Sequence, residues 1–120
     1  MKDLLVKKAD TLAHEVYSIT KDFPKDELFG ITSQLRRAAL SVVLNLIEGF
    51  ARRRDAEYLH FLDISYASLK ETKYLLYFSI KEKYLSENDY NSLMIVSEEI
   101  GKMLWERMNR LRHITKKIKA

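Results

Sequence analysis

The chain contains no cysteine, which excludes a disulfide framework, a thiolate zinc site and a cysteine nucleophile together and makes a reducing, cytoplasmic setting the expected one. Proline occurs once and glycine three times in 120 residues. So few breakers allow few turns, which excludes a many-turned β-sandwich and favours long helices. Long apolar runs are also missing. The longest, Ala38 to Ile47, is interrupted by Ser41 and Asn45, and a membrane crossing takes about 20 apolar residues. The sequence after Met1-Lys2-Asp3 is amphipathic, unlike the uniformly apolar stretch of a secretory leader. There is no glycine-rich phosphate loop, no serine nucleophile beside a base and no paired-carboxylate site. We therefore expect no catalytic residue, no cofactor and no small-molecule substrate. Neither sign of charge dominates: 21 Lys and Arg stand against 17 Asp and Glu, a net charge of +4, which is a mild pull toward an anionic partner.

What is present is amphipathic periodicity. Apolar residues make up 47% and charged residues 32%. A chain of this length folds as one domain, residues 1–120, that buries roughly two-thirds of the surface its unfolded form exposes. Leu5, Ala9, Leu12, Val16, Ile19 and Phe23 recur at spacings of four and three, and Pro24 closes that helix, with a turn or stub over residues 25–29 before Gly30. Four helices follow from such reading, over about 3–23, 32–53, 55–84 and 87–117. Ser86, followed three residues later by Asp89, caps the fourth, which turns Leu93, Ile100, Leu104, Met108, Leu111 and Ile118 inward. The short connections make neighbouring helices antiparallel, so the expected fold is an all-α, up-down-up-down four-helix bundle.

Helices two and three carry more apolar surface than one core requires. Ile31, Leu35, Ala38, Ala39, Val42 and Leu46 form one face of helix two, while Leu40, Val43, Leu44 and Ile47 form another. In helix three, Tyr58, Leu62, Leu69, Leu76 and Ile80 lie on one side, with Phe61, Ile64, Leu75 and Phe78 on a second. Either both helices touch neighbours on two sides, or the second stripe meets another copy of the chain. On the latter reading Leu40, Val43, Leu44, Ile47, Ile64, Leu75 and Phe78 are interface candidates. Glu71 falls within the second stripe of helix three. It is either an ordinary solvated carboxylate or a buried one needing Arg36 or Arg37 as a bidentate partner.

Cationic residues gather at Arg52, Arg53 and Arg54, between helices two and three, and at Arg110, Arg112, Lys116, Lys117 and Lys119 near the C-terminus. Up-down topology brings both clusters to one end of the bundle, a footprint suited to the phosphates of RNA or DNA. Complementing helix dipoles and aiding solubility is the alternative. Glu57 and His60 have the Glu-x-x-His spacing of di-iron bundles, but the second copy and the further inward carboxylates are missing, so no metal site is expected. The tyrosines, among them Tyr58, Tyr66, Tyr74, Tyr77, Tyr84 and Tyr90, are expected to pack with their hydroxyls at a wet edge.

The run Phe23-Pro24-Lys25-Asp26-Glu27-Leu28-Phe29-Gly30, then Thr32-Ser33-Gln34-Leu35-Arg36-Arg37-Ala38-Ala39, Asn45, Glu48-Gly49-Phe50, Glu57, Phe61-Leu62 and Ala67-Ser68-Leu69-Lys70-Glu71-Thr72 resembles one known family. It is the four-helix bundle family named for proteins encoded in intervening sequences of bacterial large-subunit ribosomal RNA genes. The resemblance covers nearly the whole chain and is densest between Phe23 and Thr72. The chain departs from the family pattern at Val43, where a proline is frequent, and at Arg54, where a serine caps helix three, leaving Asp55 as the substitute cap. The resemblance implies a ring-like homo-oligomer, commonly a pentamer, and kinship with the basic accessory proteins of diversity-generating retroelements, which are linked to nucleic acid and a reverse transcriptase. The expected function is thus a non-enzymatic, self-associating bundle with a basic surface for nucleic acid or a nucleic-acid enzyme. Two alternatives stay open. Arg54 with His60, and equally Arg107 with His113, resemble the short Arg/His signature of small metal-independent all-α ribonucleases. A pure protein-interaction module is the other.

Overall fold

The computed structural model describes residues 3–119, with the side chains in that range other than those of Thr115, Lys117, Ile118 and Lys119. Asp3 opens the first helix, its carboxylate accepting the Val6 N–H at 3.1 Å, as an N-cap acid does. Helix α1 then runs over Leu4–Thr20. It stops short of Phe23 because the Phe23 N–H already turns back to the Thr20 carbonyl at 3.1 Å, and the residue before a proline is steered away from helical backbone. Pro24 leads into a 3₁₀ turn, Lys25–Glu27, and Gly30 precedes α2, Ile31–Phe50. Helix α3 spans Asp55–Lys81 and α4 spans Glu87–Lys119, whose first turn is held by Ser86 Oγ accepting the Asp89 N–H at 3.1 Å.

Three expectations need correcting. Helix α2 ends before the three arginines, since the Ala51 and Arg52 N–H groups already bond Glu48 and Gly49. Helix α3 begins without a side-chain cap: Arg54 holds the cap position and Asp55 is the first helical residue, so its charge acts only on the helix dipole. Helix α3 closes at Lys81 through Lys83, whose φ of 64° lets the Tyr84 N–H reach the Ser79 carbonyl at 2.9 Å, a left-handed cap of the kind glycine usually supplies.

The helices pack as neighbours in sequence, α1 on α2, α2 on α3 and α3 on α4, and α4 closes the group against α1. Lys8 and Glu99 pair across that last seam. The core is built from Leu5, Leu12, Leu35, Leu46, Leu62 and Leu104 with their neighbours. The whole measures 53 × 24 × 23 Å, about the length of α4 alone at 1.5 Å per residue. Among the described residues there is no strand, and no helix is long and apolar enough to cross a membrane.

The α2–α3 contact is the most extensive, and small residues make it so. A Cβ on Gly49 would lie 2.9 Å from the Tyr58 ring, closer than packed atoms tolerate. Ser41 and Ser68 share a hydrogen bond of 2.7 Å, Asn45 Nδ2 donates to the Ser41 carbonyl at 2.8 Å, and Ser65 Oγ donates to the Val42 carbonyl at 2.7 Å. Hydroxyls satisfied in this way can be buried where a larger side chain would force the helices apart. The helices are thereby held in the register that fixes which residues face outward.

Candidate functional site

The outer side of α2 and α3 presents apolar side chains to solvent. Leu44 is 55% exposed, Ile47 and Phe78 are exposed, and Leu40 and Ile64 are half-buried. Val43 and Leu75 are not part of that surface: they are only 6% and 7% exposed and belong to the chain's own core. Val43 lies three residues from Leu46, and Leu75 three from Thr72, each about 60° around its helix and so within the arc that neighbouring helices cover. Within one chain Glu71 is exposed and has no ion pair among the described residues, so neither Arg36 nor Arg37 pairs with it there. Its expected partner is engaged elsewhere: Arg36 Nε donates to Thr20 Oγ1 at 2.8 Å, and its guanidinium lies 4.7 Å from the Tyr17 ring centre. Arg37 is exposed.

Sequence reasoning missed the most exposed large apolar residue among the described ones. Phe29, in the link between the 3₁₀ turn and α2, is 94% exposed, and its neighbour Leu28 is also out in solvent. Beside them Tyr74, Leu75 and Phe78 of α3, with Ile31, Gln34 and Glu27, line a groove of about 320 Å³. The signal was present in the sequence as two adjacent apolar residues inside a segment read as a turn.

Contacts of Arg107 bring α4 against the end of α2 that leads into the three arginines. Arg107 of α4 reaches Asp3 and the Tyr58 hydroxyl, each at 3.4 Å, and lies 5.5 Å from the ring centre of Phe50, the last residue of α2. Burial pushes the Tyr58 phenol above its ordinary pKa, and the hydrogen bond from Arg107 works against that shift. The α4 segment carrying Arg110 therefore passes the α2–α3 turn that carries Arg52, Arg53 and Arg54. Arg53, Arg54, Arg110 and Lys116 are exposed. Three members have a carboxylate partner: Arg52 pairs with Glu48 at 2.6 Å, Arg112 with Asp63 at 3.0 Å, and Arg54 more loosely with Glu57. The side chains of Lys117 and Lys119, and of Ile118 with its expected inward placement, lie outside the described residues.

The motifs of the enzymatic alternatives have ordinary surroundings. Arg54 Nε lies 3.9 Å from Glu57, while His60 is exposed and meets the Phe61 ring edge-on at 5.4 Å. Among the described residues no group of three or more histidine or acidic side chains is placed to hold a metal ion.

A third surface was not anticipated. On α3 and α4, Tyr66, Leu69, Lys70, Lys73, Glu98 and Lys102 surround Gly101 and Trp105 in an open groove of about 310 Å³. Tyr66 and Trp105 stand with ring centres 5.9 Å apart. Lys73 bonds Glu98 at 2.7 Å, which holds the Glu98 carboxyl below its usual pKa.

Against known proteins, the family model of the 23S rRNA-intervening sequence protein matches residues 2–106. Among solved structures, a protein of unknown function of the S23 ribosomal protein family from Bacteroides thetaiotaomicron is 23% identical, with a TM-score of 0.79 over 88% of this chain and 98% of that one. That likeness establishes a shared fold. No curated protein matches the chain.

Proposed function

Because the chain belongs to the 23S rRNA-intervening sequence protein family, we propose that it works as a non-enzymatic scaffold, a self-associating helical bundle whose basic end contacts nucleic acid. The carrying observation is the meeting of Arg107 with Phe50, Tyr58 and Asp3. It supports a shared end for exposed Arg53, Arg54, Arg110 and Lys116, where their charges would sum against a phosphate backbone. Alternating helix direction is part of this proposal. It is supported by Tyr84, beyond the end of α3, bonding Glu27, just before α2, at 2.9 Å.

Self-association draws on the outer face. Leu44, Ile47, Phe78 and Phe29 are large apolar side chains left in water, the kind of surface that marks a contact with another molecule, and copies joined head to tail close into a ring where the rotation between them closes. We take the ring to be five-membered, as the resemblance to the family implies. Light scattering with and without RNA tests both parts. The expected result is a mass several times the 14.2 kDa of one chain, with RNA binding that falls steeply between low and moderate salt. A monomer at micromolar concentration removes the first part, and absence of binding at low salt removes the second.

A further inference from the structure

We propose that the groove between α3 and α4 around Trp105 binds single-stranded nucleic acid, a base stacking on the indole while the phosphates on either side meet Lys70 and Lys102. This rests on the nucleic-acid reading above but places the strand on a different surface, along the flank of the bundle instead of at its end.

Three observations converge on this groove. Trp105 is 49% exposed, whereas Leu93, Ile100, Leu104 and Met108 of the same helix are buried; Ile95 and Ile114 are exposed as well, but neither offers an aromatic face. Bases stack on an open aromatic face regardless of their identity. The groove floor is open because residue 101 is glycine: a Cβ there would meet only Leu69 at 3.5 Å, so the missing side chain is not demanded by helix packing. Glycine in a helix interior also costs about 1 kcal/mol relative to alanine, which makes the open floor a feature the fold does not need.

Charge selects the occupant. Lys70, Lys73 and Lys102 line the groove against a single acid, Glu98, and that acid is taken by Lys73. Lys70 and Lys102 enter no ion pair among the described residues. Lys70 lies 5.3 Å from the Tyr66 ring centre, and the Arg112 guanidinium 5.8 Å from that of Trp105. Aromatic faces interleaved with cations that outnumber the acids beside them suit a flexible polyanion that carries its own rings. In a duplex the bases are stacked on one another and closed to the indole.

Trp105 is the only tryptophan of the chain, so its emission reports on the groove directly. With the intact protein, a single-stranded RNA of about 12 nucleotides is expected to quench that emission in a saturable, salt-sensitive titration. A duplex of the same length should leave the emission unchanged. Anisotropy of a labelled strand should show Trp105→Ala, or Lys70→Ala with Lys102→Ala, weakening binding by about tenfold. Gly101→Leu, which fills the floor and keeps every charge, should weaken it similarly. Arg53→Ala with Arg54→Ala should lower affinity without changing the depth of quenching at saturation. Strand binding with unchanged emission, and full affinity in Trp105→Ala, overturns the groove and leaves the basic end standing. Equal quenching by duplex overturns the stacking. No strand binding at low salt overturns groove and basic end together. Loss of mass in Trp105→Ala with affinity retained makes the groove a contact between copies, and the proposal is then wrong.

Discussion

Between α2 and α3 the bundle packs glycine, serine and threonine, whereas the outward side of the same two helices shows leucine, isoleucine and phenylalanine to water. The arrangement reverses what hydrophobicity alone would choose. Ser65, Ser68, Thr72 and Ser79 can be buried because each hydroxyl has a partner close by: Thr72 Oγ1 donates to the Ser68 carbonyl at 2.8 Å and Ser79 Oγ to the Leu75 carbonyl at 2.7 Å. Their small size lets two helices approach closely and multiplies dispersion contacts. Leu35, Leu46, Leu62, Leu69 and Leu76 of the same helices are buried in the core, while Leu44, Ile47 and Phe78 stay in water, where a second molecule can cover them. One pair of helices thus separates a seam that serves folding on its inner side from an apolar face on its outer side, where we propose that copies associate.

Gly49 provides the strongest way to break that separation. Replacing it with leucine adds volume where even a Cβ would stand 2.9 Å from Tyr58, and overpacking of this kind costs about 3 kcal/mol, a fall of roughly 10 °C in Tm. Thermal unfolding followed by circular dichroism measures it. A loss below about 1 kcal/mol would mean that the seam is loose. On the other side, Leu44→Asp with Ile47→Asp should abolish assembly in light scattering while changing the stability of the single chain by no more than about 0.5 kcal/mol. If the chain itself unfolds, the outer face belongs to the folding unit and the comparison fails. A smaller effect sharpens the seam's chemistry: Ser68→Ala removes the partner of Ser41 but leaves Ser41 Oγ its bond from Asn45 at 3.0 Å. The expected loss is therefore about 1 kcal/mol in denaturant unfolding, with assembly unchanged.

The helices were legible in the sequence because stripes of Leu, Ile and Val repeat with the helical period, and the α4 cap was legible in Ser86 and Asp89. The seam was not. Its residues are small and polar, and a reading that follows large apolar side chains gives them no weight and so places Val43 and Leu75 on the outer surface. Whether a residue 60° from a buried neighbour is itself buried depends on how closely the adjoining helix approaches, and Gly49 and the serines set that distance. The basic end was legible as two clusters in sequence, but the occupation of Arg52 by Glu48 and of Arg112 by Asp63 depends on rotamers and, for Arg112, on a pairing across helices. Phe29 and Trp105 were overlooked because a single aromatic residue carries no period. Only the structure shows that each one faces water.

Glu71 offers the finest test of the division. It lies on the outer side of α3, exposed, with Ile64 and Phe78 on either side along the helix, and within one chain it has no ion pair among the described residues. Glu71→Leu should therefore change the stability of the single chain by less than about 0.5 kcal/mol. In the assembled protein it removes a charge from a face that association would desolvate, so dissociation on dilution, followed by light scattering, should shift to lower concentration. The opposite shift would mean that a partner copy supplies a cation to this carboxylate, because removing one member of a desolvated pair leaves the other uncompensated. In that event the outer face would join copies through a polar contact as well as an apolar one, and the contrast with the hydroxyl-lined seam would be narrower than the exposure of Leu44 and Ile47 makes it.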